Sequence, residues 1–192
     1  MNHLYVHAVF WLLLLLYIVA EYGFSIRARI LRRGKAKQKK LDRGSFFLVM
    51  LGMNFFVFLS FVFGFRKLGE LSFYMSYVGD VLIIIGTVIR FSAIIQLGRF
   101  FSVTVGVVAD QKLIQTGLYK KIRNPSYTGV WLVANGIALA LRTWWGALLT
   151  AIGVLFIFAY RIHVEETAMI QQFGDKYVSY MRRTKKMFPW IW

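Results

Sequence analysis

The sequence predicts an all-α integral membrane fold of about five transmembrane helices, the last two forming a helical hairpin. Three observations predict it. Hydrophobic residues make up 58% of the 192-residue chain and charged residues 17%, whereas a water-soluble domain is about half apolar and about a quarter charged. The mean hydropathy is +0.58. Several charge-free runs approach or exceed the roughly 20 residues that a helix needs to cross a bilayer. So much apolar surface cannot be hidden inside a soluble protein of this size. The chain has no cysteine, which excludes a disulfide scaffold, a thiolate metal site and cysteine catalysis.

The spans follow in order. Met1 to Ala20 carries no charge and holds the block Trp11-Leu-Leu-Leu-Leu-Leu16. A cleavable signal peptide wants a basic start and a small-residue cleavage site; this stretch has His3 but no Lys or Arg and runs on into Glu21-Tyr22-Gly23, so it reads as a retained span. Gly44 to Phe65 is the second charge-free run. The third, from about Leu71 to Leu97, is interrupted by Asp80 and Arg90. Asn124 to Leu141 and Thr143 to Tyr160 form the fourth and fifth, with a turn at Arg142-Thr143-Trp144-Trp145 that sets tryptophans at the interface. Both are short, so this hairpin only just crosses.

Charge sets the orientation. The net charge is +16, from 24 Lys+Arg against 8 Asp+Glu. Most of the cations lie between spans one and two (Arg27 to Arg43), between three and four (Arg99 to Arg123), and after span five (Arg161 to Lys186); the other side carries Arg66, Lys67 and Arg142. The positive-inside rule places the N-terminus outside and the C-terminus in the cytoplasm. The basic run has no aromatic interleaving for stacking bases, so the partners expected are anionic lipid headgroups and not nucleic acid. The chain divides into a three-span membrane region, 1-97, with a basic loop over 27-43, and a region 98-192 that contains the hairpin 124-160 and the polar segments where chemistry is expected.

In the first polar segment Pro125 suits the opening turn of a helix and pushes Asn124 toward an extended conformation, making Asn124 a candidate cap. A helix N-terminus at the membrane surface offers N–H groups to a carboxylate or phosphate; the plainer reading is that Asn-Pro simply starts a helix. In the second, Arg161 and Glu165 stand four apart on one helical face, in the less favourable order for a structural pair. They are either a functional pair or a solvated face at the end of a span. Arg90 either snorkels to the interface or faces a substrate, and Asp80, near the outer end of span three, reads as interfacial. His163 is the one histidine on the cytoplasmic side, and no His/Asp/Glu cluster has metal spacing, so no metal is expected. No two glycines stand closer than Gly64 and Gly69, which excludes a G-x-G-x-x-G loop.

Together the two polar segments resemble a known family. Gly117-Leu-Tyr119 followed by Arg123-Asn-Pro-Ser-Tyr-Thr-Gly129 is similar to a G-x-Y…R-H-P-x-Y-x-G element. Arg161-x-x-x-Glu165-Glu166, then Phe173-Gly-Asp-Lys-Tyr177 and Tyr180, is similar to R-x-x-x-E-E…F-G-x-x-Y-x-x-Y. Both belong to the integral membrane methyltransferases, the isoprenylcysteine carboxyl methyltransferases and related phospholipid methyltransferases. The resemblance covers roughly Gly98 to Pro189.

The resemblance implies S-adenosylmethionine as cofactor, held on the cytoplasmic side under a C-terminal helical segment, with a lipid-linked substrate arriving sideways from the bilayer. By position it implies that Gln111, Lys112, Leu113, Ile114 and Tyr119 line the cofactor, together with Asn124, Pro125, Ser126, Tyr127 and Glu165, and with Thr104 as a further residue. Arg161 would face the substrate carboxylate, and Arg161 and Glu165 would be the catalytic pair; Arg90 is a substrate-facing candidate from its place inside span three, not from the resemblance. Asn124 departs from the family's usual histidine; it can hydrogen-bond but cannot carry charge or act as a base. The activity implied is carboxyl methylation of a prenylated cysteine. The alternatives are N-methylation of an amine phospholipid headgroup, a membrane reductase using a nicotinamide cofactor, and a non-catalytic membrane protein.

Overall fold

The computed structural model describes residues 2–32, 42, 44–102 and 112–189. The fold is all-helical: α1 (Asn2–Arg32), α2 (Ser45–Phe65), α3 (Tyr74–Leu97), α4 (Pro125–Ala140), α5 (Trp144–Phe173) and α6 (Asp175–Arg183), with short 3-10 turns at Gly98–Phe100 and Gly117–Lys120. Among the described residues four helices are long and apolar enough to cross a membrane, over Ala8–Ala28, Ser45–Phe65, Tyr74–Phe100 and Trp144–Phe173. The chain is a multi-pass membrane protein.

The short helix is α4. Its 16 residues rise about 24 Å at ~1.5 Å each, less than the ~30 Å hydrocarbon core. It packs against α2, α3 and α5, and most of its side chains are buried. Its composition reflects that setting. Gly129, Ala134, Gly136, Ala138 and Ala140 let neighbouring backbones close in, as small residues do between membrane helices. A Cβ on Gly86 of α3 would lie 2.6 Å from the carbonyl oxygen of Gly129, and one on Gly136 would lie 2.7 Å from that of Gly79. The two helices therefore touch backbone to backbone at two levels.

Asp80 lies on this same buried face of α3, with Ser76, Gly79 and Ile83. Only 6% of it is exposed, and its Oδ1 has no hydrogen-bond partner among the described residues, so at its level of α3 it is enclosed by the neighbouring helices. The α3 face that meets its neighbours carries the carboxyl inward.

The two turns remote from the polar segments are knitted together. Arg142, in the left-handed region at φ 59°, makes the turn predicted for it. It pairs with Glu70 at 2.7 Å and donates through Nε to the Leu71 carbonyl, while Thr143 Oγ1 donates to the Leu68 carbonyl. α1 leans on this end, where Phe10 is buried against Ile83 and Ile137 and Trp11 stacks on Phe61 of α2 at 5.9 Å. α5 does not stop at Tyr160 but runs on to Phe173, carrying the Arg161 and Glu165 turn on a rigid element.

Candidate functional site

The close approach of α3 to α4 positions the first polar group. Gly129 lies against the backbone of Arg90, one turn from Ser126, and the Arg90 guanidinium donates through Nη1 to Ser126 Oγ. Its other edge makes a two-point contact with Glu21 of α1, at 3.1 Å from Nε and 2.5 Å from Nη2. The snorkelling reading of Arg90 fails because its charge is met inside the bundle.

One cavity of about 510 Å³ runs between the helices. Of the residues the sequence nominates, Lys112, Leu113, Ile114 and Tyr119 line it from the loop, and Asn124, Ser126 and Tyr127 from the start of α4. Arg90, Arg161 and Glu165 complete its polar wall. Pro125 is not in the lining; it is fully buried at the first turn of α4, which aims its neighbours. Thr104 and Gln111 lie outside the described residues, as does most of the basic run. His163 is exposed on α5. The α1 and α2 side of the cavity is mostly apolar, with Ile18 and Tyr22 of α1 and Val49, Met50 and Met53 of α2 beside the polar Glu21 and Asn54. Ile18, Tyr22 and Met50 are exposed as well as lining the cavity, so it opens beside α1 and α2.

Arg161 is the electrostatic centre. It is 2% exposed, and its Nε donates to Glu165 Oε1 at 3.0 Å and to the Tyr127 hydroxyl at 3.1 Å. Its Nη1 donates to Asp42 Oδ1 and, at 2.6 Å, to Ser45 Oγ. Tyr127 in turn donates to Glu165 Oε1 at 2.6 Å. Both of these contacts to Glu165 meet a single oxygen, Oε1. A buried cation so placed requires its carboxylates, because an unpaired charge at this depth is far costlier than a paired one.

Asn124 occupies the cap position of α4, but its side chain caps nothing. Its backbone carbonyl accepts from Tyr127 and Thr128, and its Nδ2 is buried without a partner among the described residues. The capping role is therefore replaced by an unsatisfied donor on the cavity wall. Such a donor is costly unless a ligand meets it.

The C-terminal segment closes the loop side. Gly174 at φ 53° ends α5, and α6 turns Tyr177 and Tyr180 inward. Tyr180 donates to the Tyr119 carbonyl at 2.7 Å. Beyond α6 the chain pairs with the segment before α4: Arg123 N donates to the Lys185 carbonyl, Asn124 N to that of Lys186, and Lys185 N to that of Lys121. The Arg123 side chain binds Glu166 at 2.7 Å and the Met181 and Thr184 carbonyls. Burial raises the phenols of Tyr119 and Tyr177 above their ordinary range and pushes that of Tyr180 up to about 12. All three stay neutral at physiological pH.

Sequence reasoning missed three carboxylates. Glu166 was seen only as a neighbour of Glu165, yet it anchors Arg123. Glu21 served only to end a charge-free run. Asp42 is the sole acid between Arg27 and Arg43, and that isolation is the one signal that could have singled it out.

The profile of the phospholipid methyltransferase family matches residues 74–176. Protein-S-isoprenylcysteine O-methyltransferase B of Arabidopsis thaliana is 33% identical over 120 residues, 62% of this chain and 61% of that protein. The protein-S-isoprenylcysteine O-methyltransferase of Schizosaccharomyces pombe is 32% identical over 109 residues, 56% and 46% respectively. The chain thus spans less than two thirds of the length of these relatives. Its fold is similar to that of the eukaryotic intramembrane Ras methyltransferase ICMT (isoprenylcysteine carboxyl methyltransferase), with a TM-score of 0.58 and 23% identity over 78% of this chain and 53% of that one. The family match runs from the start of α3 through the loop and hairpin into α6, taking in more than half of the sequence and most of the polar wall, and the chain belongs to the phospholipid methyltransferase family.

Proposed function

We propose that the protein transfers a methyl group from S-adenosylmethionine to the carboxylate of a prenylated cysteine at the cytoplasmic face of the membrane. One observation carries this reading: a single cavity joins an unsatisfied donor and a carboxylate at one end to a mostly apolar opening beside α1 and α2 at the other. A water-soluble cofactor and a lipid-linked acceptor need just such opposed approaches. The relatives' names give the acceptor class.

The residues present fit the cofactor. Glu165 is placed for a cationic group, and Asn124 Nδ2 for a carboxylate or an adenine edge. Lys112, Leu113, Ile114, Tyr119, Ser126 and Tyr127 complete the wall, with Pro125 behind them; Thr104 and Gln111 are assigned to the cofactor by the family resemblance alone. When bound, S-adenosylmethionine supplies an electrophilic methyl on a sulfonium. The acceptor carboxylate is already ionised at neutral pH, so the protein has to align it and need not remove a proton. Arg161 orients it through charge-assisted hydrogen bonds, and Arg90, with Ser126, flanks the route from the apolar side. The strap from Tyr177 to Met187 keeps water from the reacting groups.

In this reading α4 is a short fifth crossing, the N-terminus is outside, and the cavity's polar end and the C-terminus face the cytoplasm. The Lys and Arg residues at that end also attract anionic headgroups. N-methylation of an amine phospholipid is the second reading, favoured by the description of the matched family.

The deciding assay incubates the protein in liposomes with radiolabelled S-adenosylmethionine and a farnesylated cysteine analogue. Base-labile label in the lipid phase, absent with Glu165→Gln, is expected. Label in phosphatidylethanolamine instead would establish the second reading, and the absence of both transfer and cofactor binding would refute catalysis altogether.

A further inference from the structure

Arg161 meets its two carboxylates on different edges and from different sides. Glu165 contacts the Nε edge and lines the cavity, as Arg161 does. Asp42 contacts Nη1 and is absent from the lining, so it holds the guanidinium from behind. Asp42 is itself fixed by the helix it precedes. Its Oδ2 accepts from Phe46 N at 3.0 Å, its Oδ1 from Ser45 Oγ at 3.1 Å, and its carbonyl from Ser45 N. A carboxylate that lies two residues before the Gly44 cap and accepts from one of the first N–H groups of α2 thus doubles as the rear counter-ion of the arginine.

That placement has a chemical consequence. A carboxylate nucleophile bound to an uncompensated buried arginine is held tightly and loses reactivity, because ground-state binding that weakens as the nucleophile's charge disperses raises the barrier. We infer that Asp42 is a positioning residue that tempers Arg161, so that the acceptor carboxylate is oriented at the guanidinium without being quenched. The inference rests on the carboxyl-methylation reading above.

The test is steady-state kinetics in liposomes with the farnesylated cysteine analogue, comparing the wild-type protein with Asp42→Asn. Asparagine keeps an acceptor oxygen and removes the charge. KM for the acceptor and kcat are both expected to fall by about tenfold, the size of a hydrogen bond to a charged group, leaving kcat/KM nearly unchanged. Binding of the demethylated cofactor product stays at the wild-type level and certifies the fold; Asp42→Ser, which also keeps an acceptor oxygen, serves if the asparagine variant does not fold. A merely structural Asp42 would lower kcat with KM raised or unmoved, and a simple competitor of the acceptor would lower KM alone; either result overturns the proposal. Failure of the wild-type protein to methylate the analogue would instead sink the reading on which it rests, and this inference with it.

Discussion

Asn124 and Glu165 present the same argument from opposite signs: each brings a polar side chain to the cavity wall, one a donor and the other an acceptor. For Asn124 the expected signature is a split between stability and binding. Because Nδ2 meets no partner among the described residues, Asn124→Ala is expected to raise the melting temperature in detergent, while affinity for the demethylated cofactor product, read by titration calorimetry, drops about tenfold. A lowered melting temperature with unchanged affinity would make the amide structural. Glu165→Gln is expected to abolish that binding. Arg161→Lys retains it but loses at least roughly tenfold in turnover, since an ammonium cannot reproduce the planar fork. The sequence pattern reached these residues because their spacing is local: four residues on one helix, or a proline and its neighbours. It did not reach Asp42 or Glu21, whose partners Arg161 and Arg90 are remote in the chain and meet them only after the helices pack. Local chemistry is visible in a string of residues, whereas a salt bridge between helices is not.

Among the elements, the spans were legible and their depths were not. Runs without charge located α1, α2, α3 and the start of α5, but α5 continues through Arg161 and Glu165 because both charges are met along its own face and by neighbours. α4 resembles a short span by composition, and its small residues mark a helix enclosed by others. The seam it makes with α3 is expected to be intolerant of volume: Gly86→Leu meets the Gly129 carbonyl and costs about 1–3 kcal/mol, seen as a lower melting temperature, where no change would mean that the seam can part. The strap after α6 depends on Arg123, whose side chain is 6% exposed against 7% for Glu166. Arg123→Ala strands a buried carboxylate at a cost of about 3–5 kcal/mol, and limited proteolysis should then release the C-terminal segment first. The strap also responds to pH. The Tyr180 phenol titrates at about 12 in the folded protein against 10.0 ordinarily, so its contribution is complete below pH 10.0 and is lost as pH rises toward about 12. The phenolate absorbance difference between wild type and Tyr180→Phe checks this; a midpoint near 10.0 would mean that Tyr180 is not buried.

For the molecule as a whole, orientation is the first quantity to measure, and the absence of cysteine makes it accessible. Single cysteines replacing Lys120 or Arg182 should react with an impermeant maleimide only from the cytoplasmic side, and one replacing Lys67 only from the outside. The opposite pattern would reverse the topology. The fold also has a mechanical asymmetry. At the Arg142 end, two turns are clamped by Glu70 and Arg142, and α1 is pinned to α2 by the stack of Trp11 on Phe61. At the other end, the same two helices stand on either side of an open cavity. A wedge with a fixed apex widens by rotation about that apex, against the Glu21–Arg90 pair and the Phe24–Phe91 stack that tie α1 to α3 and against the packing of the surrounding acyl chains. The stiffness of the host bilayer then becomes a kinetic parameter of the protein, and turnover should slow in ordered, sterol-rich liposomes even when the folded state is equally stable in both.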